Sequence, residues 1–112
     1  MKTFTLFLMV SVLPIKASPS QTGVASWYGR ENSRSCTGKK LHHNVPAAAH
    51  KHLPLGSWVK VTSTKSRRSV VVLIEDRGPY KKNRIIDLNL PAAKQLGMTK
   101  KGIDQVTLEV LR

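Results

Sequence analysis

The sequence is poor in several residue types, and each shortage excludes something. There is one cysteine, Cys36, in 112 residues. That excludes an intramolecular disulfide scaffold and a cysteine-rich zinc site. Cys36 reads as an inert thiol or, in an oxidising compartment, an intermolecular disulfide partner. Acidic residues number six against 19 Lys+Arg. Any carboxylate chemistry must therefore use some of Glu31, Glu75, Asp76, Asp87, Asp104 and Glu109. Aromatic residues make up 5% of the chain. Long apolar runs are also missing: the longest mostly apolar stretch, residues 4–13, is about half of the roughly 20 residues that a membrane span needs.

What is present is a modest hydrophobic fraction, 40%, and a formal net charge of +13. That length and composition fit one domain with a small core. The charge suits a polyanionic partner without saying which one. Lys2 followed by the apolar run to Leu13 reads as a secretory signal peptide, residues 1–17, with cleavage between 17 and 20. Removing it takes away Lys2, Lys16 and both phenylalanines, and leaves 17 cations against six acids. A lipoprotein would need a cysteine just after the apolar run. The expectation is an exported, unlipidated protein in the periplasm or outside the cell.

The remainder alternates in short segments. Val24-Ala25-Ser26-Trp27-Tyr28, residues 57–63, residues 84–88 and residues 106–111 read as strands. Residues 69–75 form a largely β-branched apolar run, expected as a central strand buried on both sides. Residues 29–45 read as a long polar loop. Pro46-Ala47-Ala48-Ala49-His50 predicts one or two helical turns, because proline suits a first turn and alanine favours helix. Leu90–Leu96 predicts a second short helix, with Pro91 near its start and Gly97 as its stop. About five strands and two short helices suggest a mainly β fold, a small closed barrel.

Among the acids, Asp76 stands out. It follows Val70-Val71-Val72-Leu73-Ile74 and so sits at the rim of the core, where desolvation raises a carboxyl pKa and a neighbouring cation such as Arg77 lowers it. Asp76 can equally cap the Asp76-Arg77-Gly78-Pro79 turn. Glu75 and Asp76, adjacent in a strand, should point to opposite faces. His50 can exchange protons near neutral pH or hydrogen-bond a carboxylate. His42, His43, His50 and His52 lack metal-ligand spacing, so no metal and no cofactor is expected. Trp27, Tyr28 and Tyr80 can stack on sugar rings, and at least one of Trp27 and Trp58 is expected in the core. The cations are spread rather than clustered, which reads as a solvated basic surface without specific nucleic-acid recognition.

Several segments together resemble a known family. They are Gly23-Val24-Ala25-Ser26-Trp27-Tyr28-Gly29, then Ala47-Ala48-Ala49-His50-Lys51 with Leu53-Pro54-Leu55-Gly56. Ser69-Val70-Val71-Val72, Asp76-Arg77-Gly78-Pro79-Tyr80, Arg84-Ile85-Ile86-Asp87-Leu88, Ala92-Ala93 and Leu96-Gly97 follow in the same order. Residues 23–111 resemble the double-psi β-barrel domain of rare lipoprotein A, the endolytic peptidoglycan transglycosylases. The resemblance implies a six-stranded double-psi barrel related to expansins. It implies cleavage between N-acetylmuramic acid and N-acetylglucosamine in glycan strands lacking stem peptides, leaving 1,6-anhydro ends. It matches the family's aspartate to Asp76 and its histidine to His50. The partner would be the glycan strand, and the protein a monomer. The sugar-binding repeat domain that many members carry is not expected here.

One position departs from the pattern: Lys39 stands where the family has a glutamate. A lysine does not replace a carboxylic acid in proton donation without a large pKa shift. Asp76 then works with His50 alone, or Glu31 or Glu75 substitutes, or the barrel binds glycan without cutting it. The alternative function is therefore a non-catalytic, expansin-type wall binder using Trp27, Tyr28, Tyr80 and the basic surface.

Overall fold

A computed structural model describes residues 20–28 and 44–112. The expected signal peptide, Glu31, Cys36, Lys39, His42 and His43 lie outside the described residues. Six strands and one helix follow in the order β1 (Gln21–Trp27), β2 (Ala47–Ala49), β3 (Trp58–Ser63), β4 (Ser69–Asp76), β5 (Arg84–Leu88), α1 (Leu90–Leu96) and β6 (Ile103–Val110). They close into a barrel in the cyclic order β1-β5-β2-β4-β3-β6. β1/β5 and β2/β4 are parallel, and the other four contacts are antiparallel. Closure removes every sheet edge. This is the six-stranded double-psi barrel that the resemblance implied.

Alternation builds the core. Val59 and Val61 of β3, Val70, Val72 and Ile74 of β4, Ile86 and Leu88 of β5, and Val106 and Leu108 of β6 point inward and are buried. Ala25, Ala48, Ala92, Ala93, Leu96 and Met98 complete the cluster, and Trp27 packs against it from a half-buried position. Burying each Val, Leu or Ile side chain contributes about 1.5–3 kcal/mol. β4 is not buried on both sides as its composition suggested. It alternates, with Val71 43% exposed on the outer face. A closed barrel has one interior, so only every second residue of an apolar run reaches it. Trp58 is 40% exposed and lies outside the core.

The expected helix at residues 46–50 is instead β2. Alanine's helix preference is below 1 kcal/mol per residue, and starting an isolated turn is unfavourable. Ala48 pairs with Ile74 on one side and Leu88 on the other, so the segment gains a ladder on both edges. All three alanines are buried. Short side chains suit a strand wedged between two neighbours and covered on both faces.

Asn89 ties this strand to the helix. Its Oδ1 accepts from Ala92 N at 3.1 Å, capping α1, and from Ala47 N at 3.0 Å. Its Nδ2 donates to Val45 O at 2.7 Å, and its backbone N donates to Ala47 O at 2.9 Å. Gly97 ends the helix at φ 77°, a left-handed conformation that glycine adopts without strain, and its N–H returns to Lys94 O.

Asn89→Ala removes a helix cap, worth about 1 kcal/mol, and leaves the buried Ala47 N–H unsatisfied at a further cost of about 1–3 kcal/mol. Urea unfolding should therefore show a loss of about 2–4 kcal/mol. A loss below about 0.5 kcal/mol, the range of an ordinary surface change, would contradict the coupling.

Candidate active site

β2 lies between β4 and β5, which carry Asp76 and Asp87. On β5, Ile86 and Leu88 face the core, so Asp87 between them faces out. On β1, Ala25 faces the core and Ser26 faces out. On β2, Ala48 faces the core and Ala49 faces out. The register then places one transverse row across four neighbouring strands: Ser26 opposite Asp87, Asp87 opposite Ala49, and Ala49 opposite Asp76. A register shift between Ala48 and Ala49 skips Glu75 and brings Asp76 into this row. Two aspartates thus flank one methyl group.

Each aspartate is anchored. Ser26 Oγ donates to Asp87 Oδ1 at 3.0 Å. Arg77 N donates to Asp76 Oδ1 at 2.9 Å, the local turn contact that the Asp76-Arg77 sequence suggested. Burial pushes the Asp87 carboxyl above its ordinary value, with the Asp76 charge adding to the shift; the Ser26 hydrogen bond and Arg84 oppose it. Residue pattern alone does not single out Asp87, which looks like an isolated acid in a short strand. Its flanking Ile86 and Leu88 signal that it points outward, but only the barrel order puts it beside Asp76.

His50 follows β2 directly, and its backbone N donates to Asp76 O at 3.1 Å. Its ring is engaged elsewhere. Nδ1 accepts from His52 N and Leu53 N, both at 3.1 Å, and Nε2 faces Gln21 Oε1 at 3.0 Å. With Nδ1 as acceptor and Nε2 as donor, the imidazole is neutral. Burial lowers its pKa, and His52, Arg77 and Lys51 add to the effect. Arg77 Nη1 donates to His50 O at 3.1 Å and to Leu53 O at 2.7 Å, pinning the same loop. His50 therefore holds the segment beside Asp76 in place through its ring and backbone. The His50 and His52 rings lie 6.2 Å apart, edge to face, without converging.

The three aromatic candidates differ. Tyr80 is 83% exposed on the β4–β5 connection. Gly78, at φ 135°, sits between it and the floor: a Cβ there would come within 3.8 Å of the Tyr80 ring and 3.9 Å of Ala49 Cβ. Trp27 packs against the core, so its face is largely covered. Tyr28 N donates to Leu88 O at 2.8 Å. Its hydroxyl is buried and has no hydrogen-bond partner among the described residues. Burial raises its pKa above the ordinary tyrosine value, and Glu75, Asp87 and Asp76 raise it further. Tyr28 is thus a neutral phenol directed toward the acids. Glu75 and Asp76 both act on it, although simple alternation sends them to opposite faces; the register shift at β2 breaks that alternation.

Fold and site define a small closed β-barrel protein with two aspartates in one transverse row of neighbouring strands. A family described as lytic transglycolase matches residues 20–108. The chain belongs to that family. Among its relatives, the endolytic peptidoglycan transglycosylase RlpA of Neisseria meningitidis serogroup B is 47% identical over 92 residues, covering 80% of this chain and 38% of that protein. The protein of the same name from Rickettsia felis is 42% identical over 97 residues, covering 82% of this chain and 42% of that one. The chain thus spans about two fifths of the length of these relatives. Two solved structures share the fold. Streptomyces papain inhibitor has a TM-score of 0.67 at 19% identity, covering 88% of this chain and 99% of that one. A point mutant of Clavibacter michiganensis expansin, solved in complex with cellohexaose, has a TM-score of 0.68 at 17% identity, covering 84% of this chain and 51% of that one.

The His50 environment fixes a sign for pH dependence. The unfolded histidine takes up its proton near pH 6.5, and the folded one only below that. Its stabilising contribution is full above about pH 6.5 and is lost as pH falls from there through the lower, folded value. Asp87, with its raised pKa, acts with the opposite sign as pH rises through the carboxylate range. The His50 part is isolated by comparing thermal melts of wild type and His50→Gln between about pH 7.5 and 5.5, a window that brackets the ordinary histidine value. The wild-type midpoint should fall more steeply than that of the variant, which should start lower. Parallel slopes would contradict the neutral, buried imidazole.

Proposed function

We propose that this chain is a lytic transglycosylase acting on peptidoglycan. It cuts the glycosidic bond between N-acetylmuramic acid and N-acetylglucosamine within glycan strands, in strands lacking stem peptides, and leaves 1,6-anhydro ends. Membership of the lytic transglycolase family and relatives named endolytic peptidoglycan transglycosylase support the activity. The observation that carries it is Asp76 at the end of β4, opposite Ala49 and in one row with Asp87.

The reaction needs an acid for the leaving oxygen and a base for the muramyl 6-hydroxyl, and a carboxyl group can serve in both capacities. Asp76 is the catalytic carboxyl of this reading. His50 is a positioning residue, which fixes the backbone next to Asp76 and the loop beyond it. Tyr80 offers an exposed ring for sugar stacking, while the buried Tyr28 hydroxyl lies toward the acids. The described helix is too short to cross a membrane. The basic, exported chain, with residues 1–17 as its signal, works as a monomer on the wall side of the membrane.

A second reading is favoured by one observation. The 83% exposed Tyr80 would also suit an expansin-type binder that loosens glycan without cutting it. The lysine at position 39 fits that reading too.

Incubation of the purified protein with amidase-stripped glycan strands, followed by mass spectrometry, separates the two. The transglycosylase reading expects anhydro-muramyl products and a loss of about 10²–10⁴-fold in Asp76→Asn, the usual contribution of a general acid or base. Products at the same level in Asp76→Asn would remove Asp76 from the chemistry. Absence of products together with retention on purified sacculi, weakened by Tyr80→Ala, would favour the binder.

A further inference from the structure

The register carries the transverse row one strand beyond Ser26. Ile103 of β6 stands opposite Ser26, so the row runs Ile103, Ser26, Asp87, Ala49 and Asp76 across five strands. Opposite residues of an antiparallel pair share a face. Ile103 therefore lies on the outer wall with Ser26, and it is 46% exposed. At this end of the row the wall is hollowed by an open cavity of about 190 Å³, lined by Val24, Lys65, Lys101, Ile103, Asp104 and Gln105.

Its charge comes from two connections that are far apart in sequence. The β3–β4 turn supplies Lys65, and the α1–β6 connection supplies Lys101. The same two connections carry Arg67, Arg68 and Lys100, and no acid. Both are tied down. Thr64 N donates to Gln105 O at 2.9 Å, Ser66 N to Ser63 Oγ at 3.2 Å, and Gly102 N to Met98 O at 3.0 Å. Arg68 lies against the end of α1, where a Cβ on Gly97 would come within 2.8 Å of its Nη1. Cations scattered along the sequence thus meet at one place on the wall. Asp104 is the acid of the cavity. It is buried opposite core residue Ala25, and its Oδ1 accepts from Gln105 N at 2.9 Å. Lys65 and Lys101 are exposed, and neither forms an ion pair among the described residues. Two ammonium groups against one buried carboxylate leave the cavity mouth positive, beside the apolar surface of Val24 and Ile103.

We propose that this cavity binds the free lactyl carboxylate of a muramyl residue and so selects glycan strands whose stem peptides have been removed. The assignment rests on the transglycosylase reading. A strand that is cut in its middle extends to both sides of the scissile bond. From Asp76 the row leads to the cavity over four strand spacings, about 19 Å. On a stripped strand each muramyl residue presents a lactyl carboxylate. With a stem peptide attached, the same carbon is a neutral amide with a chain behind it. Lys65 and Lys101 attract the carboxylate through charge-assisted hydrogen bonds and gain nothing from the amide. The lactyl methyl beside that carboxylate suits Val24 and Ile103. Both lysines are binding residues away from the reacting bond, so they act on KM and leave kcat to Asp76.

Two measurements test this. The first needs no cleavage. In the ¹⁵N-labelled full chain, N-acetylmuramic acid should shift the backbone amides of Lys65, Lys101, Ile103 and Gln105, and its uncharged methylamide should not. Equal shifts from both compounds, or none from either, would overturn the proposal. The second compares amidase-stripped strands with the same strands after conversion of their carboxylates to methylamides. The wild type should show kcat/KM about tenfold higher on the free-acid strands, carried by KM, the order expected of two exposed charge pairs. That preference should shrink as ionic strength rises from about 0.1 M to about 1 M. The double variant Lys65→Gln/Lys101→Gln should treat the two strands alike. A wild type that cuts both equally, or a double variant that keeps the preference, would contradict the assignment. Amide shifts at the cavity with no anhydro products from either strand would instead sink the transglycosylase reading and leave the carboxylate site standing.

Discussion

The pairing of three alanines between β4 and β5 is the constraint on which the rest of this protein depends. Residues Ala47, Ala48 and Ala49 have strong helical preference on their own, yet they are held as a strand with a neighbour on each edge. That placement closes the barrel. It also keeps the two outward aspartates one strand apart on either side, with nothing larger than a methyl group separating them. The Asn89 side chain secures the arrangement, because the same oxygen that caps α1 also accepts the Ala47 N–H.

The site is built on rigid elements rather than loops. Asp87 projects from a strand whose neighbouring residues are in the core, and Ser26 is fixed in the same way on β1. Asp76 is held by the Arg77 turn and by the backbone contact with His50. Such anchoring keeps the acids in fixed positions. The neutral His50 fits this picture. Its ring nitrogens serve the loop over residues 52–53 and Gln21, so its part in the site is to hold Asp76's neighbourhood still.

Much of this was legible from residue pattern alone. Alternation in residues 57–63 and 106–111 marked β3 and most of β6, and Pro91 and Gly97 marked α1. Asp76 could be singled out because it ends the most apolar stretch. β2 could not, because alanine's local preference carries no record of the two strands that will flank it. The inward-outward alternation of β4 was hidden by an unbroken run of apolar residues, of which Val71 faces out and Leu73 lies half-covered. Asp87 was visible as an acid between two hydrophobes, but its partnership with Asp76 depends on strand order and on a register shift. Neither leaves a trace in the local sequence.

The sharpest test of this account is where a glycan lies. A crystal structure of Asp76→Asn with a bound muramyl tetrasaccharide would measure it directly. The account predicts the glycosidic oxygen within hydrogen-bonding distance of residue 76, with a sugar ring against Tyr80. A strand lying on another face of the barrel, such as along Trp58 and Val71, would contradict it.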